Sequence, residues 1–278
     1  MNSKDFQLFC DIVKSRSGLV LTEEKIYLLE SRLVPLARRR GLENLAALAD
    51  EVRRYNDERL LEEITEAMTT NETFFFRDTK PFDTFRDVVL PQLLSARAAK
   101  KSLRIWTAAC STGQEPYSLA MLLKEQAAKM AGWRVEIMAT DISHEVLEKA
   151  KAGLYSQFEV QRGLPIQLLM KHFQQVGEMW QIDSSIRAMV KFQPKNLLED
   201  LGNLGQFDVI FCRNVLIYFD QPTKSQVLTQ VHNILAEDGA LFLGGAETVL
   251  GICDSFKPVD GQRGVYTSVN GGLMAATG

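Results

Sequence analysis

One stretch, Leu103 to Ser118, constrains the fold more than any other part of the chain. Leu103, Ile105 and Trp106 are apolar and Thr107 to Ala109 are small, a pattern that suits a central strand covered on both faces. Cys110, Ser111, Thr112 and Gly113 follow, small enough for a ligand to lie against the backbone, and Pro116 fits a first helical residue, where its missing N–H costs nothing. A strand, a tight turn and a helix in this order aim free N–H groups above the carboxyl end of the strand. The spacing fits a nucleoside-type ligand and equally an ordinary βα turn. The turn holds one glycine, so neither the dinucleotide fingerprint nor the phosphate loop is present, and a tightly held pyrophosphate is not expected.

At 278 residues the chain can hold a full α/β domain and a smaller one. No apolar run reaches the roughly 20 residues of a membrane span, and the first residues lack a signal-peptide pattern, so a cytoplasmic protein is expected. Cys10, Cys110, Cys212 and Cys253 are far apart and form no C-x-x-C pair; reduced thiols are expected, with neither a disulfide framework nor a zinc site. A net charge of -3 gives no global pull toward nucleic acid.

Residues 1–70 read as helical throughout, the smaller domain. Phe6, Phe9, Cys10 and Val13 recur at helical spacing and Gly18 closes that helix. A second helix is expected from Thr22 as N-cap toward Gly41, kinked at Pro35. Its basic residues, Arg32 and Arg38 to Arg40, make either a solvated face or a docking surface for an acidic partner. Short helices at about 45–54 and 58–68 complete the bundle. Residues 71–98 read as a linker and linking helix; within them Asn71, Thr73 and Arg77, beside Phe74 to Phe76, are more polar equipment than a linker requires.

From 99 to 270 strand and helix alternate as in a doubly wound domain. The first helix is expected from Pro116 to about Met130. The second strand ends at Asp141, where a Rossmann-type fold places an acid for ribose hydroxyls. Between about 155 and 194 the alternation breaks: a helix at 164–173 and short strands at 173–176, 179–182 and 188–192 predict a three-stranded antiparallel insertion at about 173–192. Alternation resumes with the strand 207–212, and the tail 271–278 is expected to be disordered. His144, His172 and His232 are scattered and suggest no shared site.

Four separated segments, Thr70–Arg77, Ala109–Ser118, Ala139–Ile142 and Phe211–Phe219, resemble the CheR family of chemotaxis methyltransferases, and the resemblance runs in order from about Phe6 to Thr267. It implies an α/β fold, a Rossmann-like class I methyltransferase sheet with an antiparallel β insertion, preceded by a small all-α domain. It also implies an enzyme that uses S-adenosylmethionine, with no metal, to methylate glutamate side chains of bacterial chemoreceptors, releasing S-adenosylhomocysteine. Carried over by residue, the family's cofactor positions fall on Asn71, Thr73, Arg77, Glu115, Asp141, Asn196, Leu197, Arg213 and Asn214. Arg77 and Tyr218 match the residues nearest the transferred methyl, and Arg32 and Arg38 match the receptor-docking arginines. The implied partner is the cytoplasmic helical region of membrane chemoreceptors, with other signalling proteins beside it, and the implied state is a monomer recruited to receptor arrays. Two alternatives stay open: a non-catalytic S-adenosylmethionine-binding adaptor, and a methyltransferase acting on another substrate.

Overall fold

The computed structural model describes residues 2–271, so all but Gly271 of the tail expected at 271–278 lies outside the described residues. The chain forms two compact units, one made of residues up to Thr70 with Tyr218–Lys224, the other of Asn71–Ile217 with Ser225 onward.

The first unit is built on four helices, α1 (Ser3–Ser17), α2 (Ile26–Arg39), α3 (Leu45–Tyr55) and α4 (Glu58–Met68). Local chemistry sets their ends. Asn2 accepts from the Asp5 N–H at 2.8 Å and Asn44 from the Ala47 N–H at 3.0 Å, while Gly18 takes a left-handed φ of 78° to close α1. Phe9, Val13, Leu29, Leu33, Leu48, Leu60 and Ile64 are fully buried in one core. The second helix differs from expectation at its start. The N-cap of the α-helix is Lys25 rather than Thr22: the Thr22 carbonyl accepts from the Lys25 N–H at 2.8 Å in a 3-10 turn, Glu23–Lys25, and the α-helix begins only at Ile26. Pro35 lies inside α2, which continues to Arg39 because Leu33, Leu36 and Ala37 are buried on either side of it. The segment Tyr218–Lys224 joins this unit through the Val20 N–H, which donates to the Tyr218 carbonyl at 2.9 Å, and the Lys14–Asp220 ion pair at 2.8 Å.

In the second unit, α5 (Lys80–Thr84), a π-helical turn (Phe85–Val89) and α6 (Leu90–Ala96) run on as one helical stretch. Then come β1 (Ser102–Ala108), α7 (Gln114–Glu125), β2 (Arg134–Asp141) and α8 (His144–Ala152). They are followed by β3 (Leu154–Ser156), α9 (Gln157–Gln161), α10 (Ile166–His172), β4 (Phe173–Val176), β5 (Met179–Ile182), α11 (Ser184–Arg187) and β6 (Val190–Pro194). The last elements are β7 (Phe207–Cys212), α12 (Gln221–Ile234), β8 (Leu235–Phe242), β9 (Phe256–Val259) and β10 (Gln262–Ser268). The seven-stranded sheet has the order β6-β2-β1-β7-β8-β10-β9. Its first five strands are parallel, and β10 runs antiparallel to both β8 and β9. Because the chain steps from β1 outward to β2 and β6 and then returns to β7 on the other flank, the crevice above the carboxyl ends of β1 and β7 is the topological switch point. The Phe211 and Phe242 rings stack at 4.3 Å, with Phe85 edge-on to both.

Two expectations are corrected. Pro116 is the third residue of α7 rather than the first, a position whose N–H has no partner within the helix, and α7 ends at Glu125, with Ala127–Met130 a separate 3-10 turn. The antiparallel insertion consists of β3, β5 and β4, whereas the strand expected at 188–192 is β6 of the main sheet, parallel to β2 with Val190 opposite Ile137 and Pro194 opposite Asp141. A proline is tolerated there because β6 is an edge strand. The missing third strand, β3, is only three residues long and continues directly from α8, too short to show a period of two.

Candidate active site

The turn after β1 is strained and tightly tied. Ala109 and Ser111 both have φ of 51° and Gly113 has 93°, a left-handed run that non-glycine residues adopt only when held there. The Ser111 N–H donates to Asp141 Oδ2 at 2.8 Å, the Ser111 hydroxyl to the Asn71 carbonyl at 2.8 Å, and the Tyr155 hydroxyl to the Thr112 carbonyl at 2.8 Å. A Cβ on Gly113 would stand 3.0 Å from the Ala150 Cβ and 3.2 Å from the Tyr155 hydroxyl, so this turn is glycine both for its φ and for the closeness of α8.

Asp141 ends β2 and is buried. Its second oxygen accepts from the Ser143 N–H at 3.0 Å, so both carboxylate oxygens have fixed directions before any ligand arrives. At the end of β6 the Lys195 N–H donates to the Asp141 carbonyl at 2.9 Å, Asn196 Oδ1 accepts from the Leu198 N–H at 3.0 Å, and Leu197 is buried. The correction to the insertion matters here: only as a strand of the parallel sheet does β6 bring Asn196 and Leu197 beside Asp141.

Arg213, directly after β7, is buried and ties two further segments to that strand end. Its Nη1 donates to Glu115 Oε2 at 2.9 Å; its Nη2 donates to Asp78 Oδ2 at 2.7 Å and to the Arg77 carbonyl at 3.0 Å. Its Nε is buried with no hydrogen-bond partner among the described residues. Burial pushes the Glu115 carboxyl above the usual carboxylate range, opposed by the Arg213 charge. Asn214 follows at φ 60°.

The segment 71–78 lies along these turns. Besides the Asn71 carbonyl, the Phe76 N–H is held by the Ser118 hydroxyl at 2.9 Å, and Phe76 and Asp78 have φ of 50° and 67°. Arg77 donates to the Glu72 carbonyl at 2.8 Å and sits 5.6 Å from the centre of the Phe74 ring, whose centre is also 4.3 Å from the Arg162 guanidinium. Thr73 is half-buried.

Of the residues singled out in the sequence, Asn71, Thr73, Arg77, Glu115, Asp141, Asn196, Leu197, Arg213 and Asn214 all belong to the second unit. Those from Asp141 on follow or end β2, β6 and β7, and Glu115 opens the helix after β1. Tyr218, Arg32 and Arg38 belong to the first unit. Arg32 donates to the Met68 and Thr69 carbonyls at 2.6 and 2.8 Å and to the Thr70 hydroxyl at 3.0 Å, capping the end of α4, whereas Arg38 is exposed. Sequence reasoning missed the supporting residues Asp78, Ser118, Tyr155, Arg162 and Glu247. Their signals are single polar residues in turns, a helix and a short strand, too common to select. Among the described residues no group of three or more His, Cys, Asp or Glu side chains could hold a metal ion, and no helix is long and apolar enough to cross a membrane. Burial raises the Cys110 and Cys212 thiols well above their usual range, which disfavours thiolates.

Comparison with known proteins agrees with this architecture unit by unit. The CheR methyltransferase all-alpha domain matches residues 4–69, and the CheR methyltransferase SAM binding domain matches residues 71–265. The chain is 41% identical to chemotaxis protein methyltransferase 1 of Pseudomonas aeruginosa over 94% of this chain and 96% of that one. It is 39% identical to chemotaxis protein methyltransferase 1 of Vibrio cholerae over 95% and 96%, and 34% identical to the chemotaxis protein methyltransferase of Salmonella typhimurium over 92% and 88%. With both family domains present in order, the chain belongs to the CheR family of S-adenosylmethionine-binding chemotaxis methyltransferases.

Proposed function

We propose that the chain transfers a methyl group from S-adenosylmethionine to glutamate side-chain carboxylates of bacterial chemoreceptors, forming methyl esters for sensory adaptation in the cytoplasm. The observation that carries this reading is the placement of Asp141, held by two N–H groups at 2.8 and 3.0 Å, between the turns that carry Ser111 and Asn196. The donor set fits the cofactor: an oriented buried carboxylate suits ribose hydroxyls, small turn residues after β1 leave room against the backbone, and a buried Arg213 Nε has its hydrogen bond still to make.

In this reading Asp141 binds the ribose, Asn196 and Leu197 frame the adenine, and Asn71 and Thr73 with Glu115, Arg213 and Asn214 hold the amino-acid end. When bound, the cofactor supplies an electrophilic methyl on a positively charged sulfur. A glutamate carboxylate with a pKa of about 4.3 is already ionised at neutral pH, so no general base is needed. What remains for the protein is to bring the two within about 3 to 3.5 Å, aligned and out of water. Arg77 orients the acceptor carboxylate, and Tyr218, by its match to the family motif, takes part in the transfer step. Arg38, exposed on α2, meets the acidic helical receptor surface, whereas Arg32 is held at the carboxyl end of α4.

The test is transfer of labelled methyl from S-adenosylmethionine to membranes bearing chemoreceptors, read as base-labile ester. Label appearing on receptor glutamates supports the reading. Tight cofactor binding without any incorporation would establish an adaptor instead, and incorporation into another class of molecule would redirect the substrate.

A further inference from the structure

Just past β8 the chain reads Gly244, Gly245, Ala246, Glu247, and the Glu247 side chain turns toward the loop that follows β7. Its Oε2 accepts from the N–H groups of Asn214 and Gly244, both at 2.7 Å. Its Oε1 accepts from Val215 at 2.9 Å, Leu216 at 2.7 Å and Ile217 at 3.3 Å. Four successive main-chain N–H groups, 214 to 217, thus converge on one carboxylate, a nest of the kind that holds anions. Here the anion is part of the protein. The approach is close: a Cβ on Gly244 would stand 2.7 Å from Asn214 Nδ2 and 2.8 Å from Glu247 Oε2.

The sheet itself does not need this arrangement. β7 and β8 pair through Val209, Ile210 and Phe211 with Ala240, Leu241 and Phe242, before the loop begins. What Glu247 fixes is the main chain carrying Asn214 at its unfavourable φ of 60°, directly after Arg213. We propose that Glu247 is a positioning residue for the cofactor: by gathering the N–H groups of 214–217 it sets the directions of Arg213 and Asn214, without touching the bound molecule itself. This rests on the reading that Arg213 and Asn214 contact S-adenosylmethionine.

Glu247→Gln tests it with little change of shape. A carboxylate accepts at both oxygens, but an amide turns a donor toward two N–H groups in one orientation and three in the other. Amide hydrogen exchange on the full-length protein without cofactor is expected to quicken at least tenfold at 214–217 while β7 and β8 keep wild-type protection. The Kd for S-adenosylhomocysteine, by calorimetry, is expected to rise at least tenfold. Gly244→Ala, which crowds the same contact without removing the charge, should show both effects and covers the case in which the glutamine variant fails to fold. Wild-type exchange at 214–217 in the variants would overturn the proposal, as would faster exchange with an unchanged Kd. An unchanged Kd in Asn214→Ala and Arg213→Lys would instead remove the assignment of this loop to the cofactor, on which the proposal stands.

Discussion

Asp141 shows how one side chain does two things. It braces the strained turn through the Ser111 N–H and presents a carboxylate at the end of β2, so Asp141→Ala should lose more than a ligand contact. Affinity for S-adenosylhomocysteine is expected to fall by about 1.5 to 3 kcal/mol, the range for hydrogen bonds to charged groups, and calorimetry on the folded variant reading wild-type affinity would reject the role. Arg213 makes a different prediction. It is buried against Glu115, whose carboxyl burial alone pushes upward, so Arg213→Met leaves a buried acid without its partner. Denaturant unfolding should show a loss of about 3 to 5 kcal/mol, and adding Glu115→Gln should restore part of it. Additivity of the two changes would show that the pair is not coupled.

At the scale of elements, α2 separates two arginines that look equivalent in sequence. Arg32 closes the carboxyl end of α4 through the Met68 and Thr69 carbonyls, and Arg38 is exposed. Arg32→Ala should therefore destabilise the protein by about 1.5 kcal/mol, measured by unfolding. Arg38→Glu should leave stability unchanged and slow receptor methylation at low receptor concentration, with a weaker salt dependence. Equal effects of both substitutions on stability would contradict this division. The same scale shows what periodicity could and could not reveal. The strands 103–109, 135–141 and 207–212 are long apolar runs and were legible. β3 and β6 are short, and which sheet each joins is decided by pairing, with Val190 finding Ile137 and Leu154 finding Gln181.

Over the whole molecule, ion pairs tie distant segments together. Arg97 pairs with Asp208 at 2.7 Å and Asp238 at 2.7 Å, and Asp208 also accepts from the Arg104 N–H at 2.7 Å. The Arg97 guanidinium holds the Asp238 carboxyl below the usual range, and Arg40 does the same for Glu63. For Glu136 burial works in the opposite direction, but Arg104 and Lys191 outweigh it. A carboxyl whose pKa is lowered on folding contributes stability above its unfolded value, about 3.9 for Asp and 4.3 for Glu, and loses it as pH falls through the folded value. Glu115 has the opposite sign: raised on folding, its contribution is present in acid and lost as pH climbs through its folded value. Among the described residues the lowered carboxyls outnumber the one that is raised, Glu115, which predicts a Tm that falls between about pH 5 and pH 3. Asp238→Asn should lower the Tm at neutral pH and flatten that fall. A wild-type Tm that holds constant over this range would show that these pairs do not govern acid stability.

The sequence by itself determined the helical first unit, the parallel strands, the turn after β1 and the acid that ends β2, because each is written in local periodicity, in capping residues or in a strand end. It also marked Arg77, Glu115, Arg213 and Asn214, though through resemblance rather than spacing. Only the tertiary structure decided that β6 lies beside β2, that Arg32 closes α4, and that Glu247 gathers the N–H groups of 214–217. These are long-range pairings: a carboxylate, a guanidinium and an edge strand each have many possible partners in sequence. Packing the sheet leaves each of them with the ones described.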